Sequence, residues 1–235
     1  MERGLIPSRA RARDAILRGH VAVDGKLVRR PAQTVGPDAE ITLDDPASGY
    51  VSRGSLKLIA ALDRFAYDPT GRTGLDVGAS TGGFTQVLLE RGAASVYAVD
   101  VGHGQLAPSL EEDPRVISLE GVNARDLTAD LVPEPAGAIV ADVSFISLRL
   151  VLPPVLALAT ADAWGVFLVK PQFEVGRENV GKGGIVRDAT LAEKTASEIA
   201  AWLEHDMGWK VDGLILSPIA GGDGNREFLL GARRG

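Results

Sequence analysis

From residue 52 to the end of the chain, short apolar runs of strand length alternate with longer segments of helical periodicity. After a helix within 52–65, the runs predict strands near 74–78, 95–100, 115–119, 137–142, 165–169, 211–217 and 226–232, with helices near 83–91, 147–160 and 188–207. Strands that are apolar throughout and separated by helices are typical of a parallel sheet covered on both faces. The sequence therefore predicts an α/β fold with a doubly wound, mostly parallel sheet.

The first 45 residues follow a different pattern. Ser8 has the residue type of an N-cap, and Gly19 is placed to end the helix that follows it. Asp24-Gly25 separates two short apolar runs and predicts a hairpin, and "AEITLDD" (39–45) predicts one more strand. We expect a small α+β domain over residues 1–45, a linker over 46–51 and a larger domain over 52–235.

Charge is distributed unevenly along the chain. Residues 1–34 contain eight Arg and Lys against three acidic residues, a net charge of +5, so the remainder carries −11 of the total of −6. A basic module on an acidic body indicates an anionic partner such as nucleic acid. A solvated helix face would account for the same charges, and charge alone leaves both interpretations open.

The composition disfavours several kinds of site and location. The chain has no cysteine, and its three histidines are far apart in sequence, so neither disulfides nor a metal site are expected. No apolar run approaches the roughly 20 residues of a membrane span, and the N-terminus lacks the apolar region of a signal peptide. These features predict a soluble, cytoplasmic protein without a membrane partner.

The stretch "LDVGASTGGFTQVLLERG" (75–92) predicts a strand, a glycine-rich turn and a helix. Glycines let a ligand approach the backbone, and the first N–H groups of the helix are free to bind it. Asp100, which ends the next strand, is placed to accept hydrogen bonds from ribose hydroxyls. The turn lacks the second glycine of a dinucleotide fingerprint and follows an acid, Asp76, which looks like the S-adenosylmethionine loop of class I methyltransferases. A tight turn without a ligand is the competing interpretation.

Asn123 follows the third strand of the larger domain and is placed to meet an adenine edge, although an asparagine there can equally cap a loop. The predicted cofactor is S-adenosylmethionine. Its predicted binding residues are Asp76, Gly78, Ser80, Gly82, Gly83, Asp100, Asn123 and Asp142.

Four charged residues stand at the ends of predicted elements. Asp142 and Lys170 end apolar strands, and Glu227 lies near the start of another. Lys57 lies on the helix within 52–65. Because ligands bind beyond the carboxyl ends of parallel strands, Asp142 and Lys170 are expected to face the cofactor. A neutral lysine there can remove the proton of a ribose hydroxyl, with carboxylates orienting the amine. For each residue alone, a structural salt bridge at the sheet edge is the competing interpretation.

Six stretches carry a resemblance to a known family: "YVSRGSLKL" (50–58), "LDVGASTGGFT" (75–85), "YAVDVGHGQL" (97–106), "ADVSFISL" (141–148), "VKPQFEVGRENVGKGGIVRD" (169–188) and "GNREFLL" (224–230). Together they resemble the TlyA-type, or hemolysin A, ribosomal RNA 2′-O-methyltransferases, whose catalytic domain is similar to that of the FtsJ (RrmJ) enzymes. The resemblance implies a Rossmann-like class I methyltransferase domain, S-adenosylmethionine, and a cytidine ribose of ribosomal RNA as the target. It also implies a catalytic tetrad of Lys57, Asp142, Lys170 and Glu227, with Lys170 as the general base.

The stretch "SRARARDAILRGHVAVDGK" (8–26) resembles the core of the S4-type RNA-binding domain. That domain normally begins with a further helix, and because the chain opens at "MERGL", we expect this first helix to be incomplete. Ribosomal RNA or a ribosomal subunit is the predicted partner. In the glycine-rich segment 176–188, cations are placed to meet RNA phosphates, although a simple flexible connection is equally compatible with it. The predicted RNA-binding residues are Arg3, Arg9, Arg11, Arg13, Arg18, Arg177, Lys182 and Arg187.

Two other functions are compatible with parts of the sequence. A non-catalytic RNA-binding or ribosome-assembly protein would keep the fold, but it has no need for the four charged residues at the strand and helix ends. A cytolysin, which the hemolysin label suggests, is disfavoured because the sequence has no apolar segment long enough to span a membrane.

Overall fold

The computed structural model describes residues 3–6, 8–221 and 224–235. The chain divides into two compact units, Met1–Tyr50 and Val51–Gly235. Residues 3–6 are not helical, and Met1, Glu2 and Pro7 lie outside the described residues, so an incomplete first helix stays a prediction.

The first unit packs one helix with a small antiparallel sheet. Its elements are α1 (Arg9–Arg18), β1 (Val21–Val23), β2 (Lys26–Leu27) and β3 (Ile41–Leu43), and the strand order is β2-β1-β3. Ser8 Oγ accepts a hydrogen bond from Arg11 N at the start of α1, and Gly19 ends the helix with a φ of 81°. Asp24 and Gly25 both have positive φ between β1 and β2, as a two-residue hairpin turn requires. The predicted helix and hairpin are confirmed.

The second unit is built on one twisted sheet flanked by helices. Its elements are α2 (Ser55–Phe65), β4 (Thr73–Val77), α3 (Gly83–Glu90), β5 (Ser95–Asp100), α4 (Pro108–Glu111), β6 (Val116–Glu120), β7 (Ala136–Ala141), α5 (Leu148–Ala157), β8 (Ala159–Val169), α6 (Ala189–His205), β9 (Trp209–Leu216) and β10 (Phe228–Arg234). In the part of the chain that the structure describes, seven strands pair in the order β6-β5-β4-β7-β8-β10-β9. Strands β6, β5, β4, β7 and β8 pair in parallel, whereas β10 is antiparallel to both β8 and β9. The predicted doubly wound, mostly parallel α/β fold is confirmed.

One predicted boundary is wrong. The sequence favoured a helix over 147–160 and a strand only from 165, but α5 ends at Ala157 and β8 already begins at Ala159. The segment "ATADAW" has few β-branched residues, so its local preference is not for a strand. It becomes one because Ala159 pairs with Ala136 of β7 and Trp164 with Ala138, across an irregular register. The short helix α4 was not predicted either.

The antiparallel direction of β10 positions the candidate site. The carboxyl ends of β4, β7 and β8 lie at one edge of the sheet, because these strands are parallel neighbours. Since Phe228 at the start of β10 pairs with Val169 at the end of β8, the residue before β10 reaches the same edge. In the described segments, no helix is long and apolar enough to cross a membrane.

Candidate active site

Four charged side chains meet at the carboxyl edge of the sheet. Asp142 directly follows β7, Lys170 directly follows β8, and Glu227 directly precedes β10. Lys57 reaches them from the first turns of α2. The structure therefore brings together the residues predicted as a tetrad, although they are up to 170 positions apart in sequence.

The four side chains form two short ion pairs, which a longer contact of Asp142 connects. Lys170 Nζ lies 2.6 Å from Asp142 Oδ1, and Lys57 Nζ lies 2.6 Å from Glu227 Oε2. Asp142 Oδ2 is also 3.8 Å from Lys57 Nζ, which links the two pairs. The group is thus a connected chain, Lys170–Asp142–Lys57–Glu227, with two positive and two negative charges.

These charges are largely removed from solvent. Lys57 is 7% exposed, Lys170 9% and Glu227 3%, whereas the side chain of Asp142 keeps 22% of its surface. Burying an ammonium or a carboxylate is costly unless a partner compensates, and each member of the group has such a partner. Asp142, the most accessible member, and Lys170 therefore form the end of the group that a substrate can reach.

Two residues that the sequence did not single out follow Asp142 closely, and one of them contacts Lys170. Ser144 Oγ accepts a hydrogen bond from Lys170 Nζ at 2.8 Å. Phe145 is 90% exposed and has a φ of 65°, a conformation that non-glycine residues rarely adopt. Its ring lies 5.1 Å from that of Phe173, centroid to centroid. Both residues are inside the stretch "ADVSFISL". Proximity to Asp142 was a usable signal for Ser144, but the backbone strain of Phe145 is not readable from sequence.

The glycine-rich turn between β4 and α3 is closely packed. Gly78 has a φ of 83°, and a Cβ there would lie 2.6 Å from the carbonyl oxygen of Asp142. Gly82 has a φ of 92°, and a Cβ there would lie 2.2 Å from Leu110 of α4. A side chain at Gly78 would therefore displace the segment that carries Asp142, and one at Gly82 would displace the side chain of Leu110.

Asp100 joins the glycine-rich turn to the loop after β5. Its carboxylate accepts hydrogen bonds from Ser80 N and from Gly102 N, both at 2.8 Å. The same loop is held from the end of β6, where Glu120 accepts from the backbone N–H groups of residues 104, 105 and 106. Hydrogen bonds from Gly104 and Gln105 lower the pKa of Glu120, so it remains a carboxylate near neutral pH.

A cavity of about 530 Å³ opens between this loop, the glycine-rich turn and the segment after β7. Five of the eight predicted cofactor residues line it, namely Gly78, Ser80, Asp100, Asn123 and Asp142. Asp76, Gly82 and Gly83 do not line it. Ser144, Phe145, Val101 and Gln105 do. The side chain Oδ1 of Asn123 accepts hydrogen bonds from Arg125, so the residue also has the loop-capping role that the sequence allowed.

Asp76, the second-last residue of β4, is buried at 1% exposure. Its Oδ2 accepts a hydrogen bond from Thr85 Oγ1 at 2.7 Å, whereas Oδ1 is buried without a partner among the described residues. Burial raises the pKa of Asp76 to about 7, against the lowering effect of Thr85 and with a further increase from the negative charges of Asp142 and Asp100. Buried polar atoms without a partner are uncommon in folded proteins, and the raised pKa of Asp76 favours a bound proton that lowers the cost of burying this carboxylate.

We expect Asp76→Asn to stabilise the protein in a pH-dependent way. The pKa of Asp76 is about 7 when folded and 3.8 at its usual value, so its stabilising contribution is complete below pH 4 and lost as pH rises through 7. Relative to the unaltered protein, the variant's free energy of unfolding should rise between pH 4 and pH 8 by about 2 to 4 kcal/mol. Urea unfolding at several pH values, followed by tryptophan fluorescence, measures this. If the difference in free energy of unfolding between the two proteins did not change with pH, the raised pKa of Asp76 would be contradicted.

Some of the predicted RNA-binding arginines of the first unit are bonded to neighbouring groups, and others are exposed without an acidic partner. Arg18 binds Asp14 and Asp45, and Arg11 donates to the carbonyl oxygen of Ala47 at 2.6 Å. Arg3 likewise donates to backbone carbonyls of residues 36, 37 and 39. Arg9 and Arg13 are exposed, and no ion pair ties them to an acidic side chain within the described chain. They lie, with Arg3, Arg30 and apolar side chains, along a groove of about 830 Å³.

The loop that precedes α6 presents the other predicted RNA-binding cations. Arg177, Lys182 and Arg187 are all exposed. The loop is attached to the segment before β10 by Asn225, which is 2% exposed: its Nδ2 donates to Gly184 O at 2.8 Å, and its Oδ1 accepts from Val186 N at 3.0 Å. The segment before β10 therefore anchors the cationic loop through Asn225 and also carries Glu227 of the tetrad.

Among the residues that the structure describes, no group of three or more His, Asp or Glu side chains is arranged to hold a metal ion.

Comparisons with known proteins agree on the two units. Residues 50–234 match the profile of the FtsJ-like methyltransferase family, and residues 2–41 match that of the S4 domain. The chain is 47% identical to the 16S/23S rRNA (cytidine-2′-O)-methyltransferase TlyA of Mycobacterium tuberculosis, over 99% of this chain and 87% of that protein.

Solved structures extend the same comparison. A protein of Streptococcus thermophilus described as a candidate hemolysin superposes with a TM-score of 0.80 at 41% identity, covering 99% of this chain and 85% of its own. A SAM-dependent methyltransferase of Aquifex aeolicus superposes with a TM-score of 0.52 at 19% identity, over 82% of this chain and 95% of its own. The second likeness concerns the fold alone.

Proposed function

The chain belongs to the family of TlyA-type methyltransferases, with an S4 domain and an FtsJ-like methyltransferase domain, and we propose that it methylates a cytidine ribose 2′-hydroxyl of ribosomal RNA. The observation that carries the proposal is the buried Lys170–Asp142 pair at the rim of the cavity, 2.6 Å apart and linked to Lys57 and Glu227. This set can hold a hydroxyl group and take its proton.

The cavity beside Asp142 is the proposed cofactor site. S-adenosylmethionine supplies a methyl group on a positively charged sulfonium. Its ribose would be held by Asp100, and Asn123 would offer its amide nitrogen to the adenine edge, since Oδ1 already accepts from Arg125. The carboxylates of Asp100 and Asp142 line this cavity, and they suit a cationic ligand. Gly78 is placed to allow close approach to the backbone.

Lys170 is the proposed general base. With S-adenosylmethionine bound, the ribose oxygen would receive the methyl group as its bond to sulfur breaks, and Lys170 Nζ would accept the hydroxyl proton and later release it to solvent. Lys170 has to be a neutral amine when it accepts the proton. Asp142 orients the amine through its 2.6 Å contact and is shared with Lys57 at 3.8 Å. Glu227 holds Lys57 in place.

Exposed cations and aromatic rings around the site are the proposed RNA contacts. Phosphates require sequence-independent cationic partners, which Arg177, Lys182 and Arg187 offer on the loop before α6. The exposed ring of Phe145, which lines the cavity and lies against Phe173, is placed to stack on a base that has left the RNA helix. In a bacterial cell, this substrate would place the protein in the cytoplasm.

The function is tested by methyl transfer itself. The protein is incubated with isotopically labelled S-adenosylmethionine and with either purified ribosomal subunits or protein-free ribosomal RNA, and the digested RNA is examined for modified nucleosides by mass spectrometry. We expect label in 2′-O-methylcytidine. Label on a base, or no transfer to any of these substrates, would overturn the proposal.

A non-catalytic RNA-binding protein is a less suitable assignment. Replacing buried ion pairs with packed apolar side chains is often neutral or stabilising, so a protein that only binds RNA gains nothing from two buried lysines. The hemolysin name attached to the solved relative is not favoured by a specific feature of the described structure.

We expect the double variant Arg9→Gln/Arg13→Gln to bind RNA more weakly. Its affinity should also depend less steeply on salt concentration. Removing one phosphate interaction reduces the slope of log affinity against log salt concentration by about 0.7 to 0.9, so removing two reduces it by about 1.5. Fluorescence anisotropy with a labelled ribosomal RNA fragment measures both. Arg64→Gln/Arg91→Gln, at the C-terminal ends of α2 and α3, is the control of equal charge. An unchanged slope in the first variant would exclude Arg9 and Arg13 as phosphate-binding residues.

A further inference from the structure

Ser144 stands apart from the four charged residues but touches the proposed base directly. It lies two residues after Asp142 and lines the same cavity. Its Oγ is 2.8 Å from Lys170 Nζ, while Asp142 Oδ1 is 2.6 Å from the same nitrogen. Lys170 therefore makes two short polar contacts with residues of one segment.

For a neutral amine, these two contacts determine the direction of the nitrogen lone pair. A neutral lysine Nζ carries two N–H groups and one lone pair around a tetrahedral nitrogen. A carboxylate only accepts hydrogen bonds, so Asp142 takes one N–H. If Ser144 Oγ accepts the other, as its 2.8 Å distance allows, the lone pair is left at the one remaining tetrahedral position. That position is then open to a substrate hydroxyl.

Asp142 alone does not fix this direction. With one hydrogen bond, the amine can still rotate about its Cε–Nζ bond and about the line to the carboxylate. Asp142 is also shared with Lys57 at 3.8 Å, so its carboxylate is not reserved for Lys170. A second acceptor is what reduces the orientations to one.

The segment that carries Ser144 is itself attached to the segment that carries Lys170. The ring of Phe145 packs against that of Phe173. Glu174 accepts hydrogen bonds from Ser147 Oγ at 2.5 Å and from Leu148 N at 2.8 Å. These contacts join the two segments just after Ser144 and Lys170, so the hydroxyl of Ser144 is held at a defined place.

We propose that Ser144 is a positioning residue that directs the lone pair of Lys170 toward the ribose hydroxyl. The proposal rests on the proposed function, in which Lys170 is the base. Ser144 does not exchange a proton with the substrate, because it acts only by accepting a hydrogen bond from the amine.

The kinetic test compares Ser144→Ala, Ser144→Thr and, as a control, Ser197→Ala on the exposed face of α6. For Ser144→Ala we expect kcat to fall about ten- to a hundredfold, as a misplaced reacting group predicts, with the KM for RNA and the Kd for S-adenosylmethionine unchanged. Ser144→Thr keeps the hydroxyl and should restore most of kcat. Ser197→Ala should match the unaltered protein. Unchanged kcat in Ser144→Ala, or failure of Ser144→Thr to rescue it, overturns the role of Ser144.

A second measurement needs no methyl transfer. The chain has six lysines, so the NMR spectrum of the protein labelled with ¹³C-lysine contains few side-chain signals. The signal that is lost in Lys170→Arg belongs to Lys170. The two ε protons of Lys170 should have different shifts in the unaltered protein, because the side chain is fixed, and should merge in Ser144→Ala. Absence of methyl transfer by the unaltered protein would overturn the proposed function. A Lys170 signal that is identical in both proteins would overturn the positioning role, whatever the activity.

Discussion

Replacing Lys170 with methionine is expected to lower kcat for methyl transfer by about 10²- to 10⁴-fold, the usual contribution of a general base. Methionine keeps most of the apolar stem that packs at the end of β8 but has no basic nitrogen. Lys170 does not line the cavity that Asp100 and Asn123 border, so binding of S-adenosylmethionine is expected to change little. The loss should therefore appear in kcat and not in the Kd of the cofactor.

A second replacement separates basicity from positive charge. Arginine remains protonated at any pH that the protein tolerates, so Lys170→Arg preserves the charge beside Asp142 but cannot accept a proton. If Lys170 acts as the base, Lys170→Arg is as inactive as Lys170→Met in single-turnover assays. Lys194→Met on the exposed face of α6 is the control for loss of one lysine charge. Substantial activity in Lys170→Arg would assign Lys170 an electrostatic role instead.

Glu227→Gln is expected to lower the free energy of unfolding of the second unit by about 3 kcal/mol, because it leaves the ammonium of Lys57 buried without its close partner. Lys57 is 7% exposed and Glu227 3%, and their charged atoms are 2.6 Å apart. Asp142, 3.8 Å from Lys57, compensates only in part, which places the expected cost at the low end for a broken buried pair. Urea unfolding followed by tryptophan fluorescence reports on this unit, since Trp164, Trp202 and Trp209 all lie in it.

The double variant Lys57→Met/Glu227→Leu tests whether the pair exists for stability or for chemistry. Removing both charges leaves no uncompensated ion, so stability should return to within about 1 kcal/mol of the unaltered protein or exceed it. Methyl transfer should remain impaired, because Asp142 loses the cation that links it to the rest of the tetrad. Full activity in a stable double variant would show that Lys57 and Glu227 are structural residues only.

Much of this site was predictable because the relevant signals are local. The run "AGAIVAD" indicates a buried strand that ends on Asp142, and "GVFLVK" indicates one that ends on Lys170. Parallel strands between helices place their carboxyl ends at one edge, so these two residues follow from the pattern of the chain. The glycine-rich turn was predictable for the same reason, since its positive φ angles at Gly78 and Gly82 require glycine.

Other features were not predictable because distant residues decide them. The first half of β8 has no local preference for a strand and forms one by pairing with β7. Arg11 and Arg18 look like RNA contacts in sequence, but the folded first unit supplies Ala47 and Asp45 as partners for them. The left-handed conformation of Phe145 is imposed by the turn between β7 and α5, and no residue type announces it.

The sequence by itself determined the fold class, the strand that each of Asp142 and Lys170 follows, and the glycine-rich turn, because periodicity and turn chemistry act over a few residues. Only the tertiary structure decided which lysine pairs with which carboxylate. Glu227 reaches the site because β10 runs antiparallel to β8, so that its start meets the end of β8. Ser144 reaches Lys170 because β7 and β8 are neighbours. Both contacts arise from strand pairings between distant residues, whose direction and order no local pattern encodes.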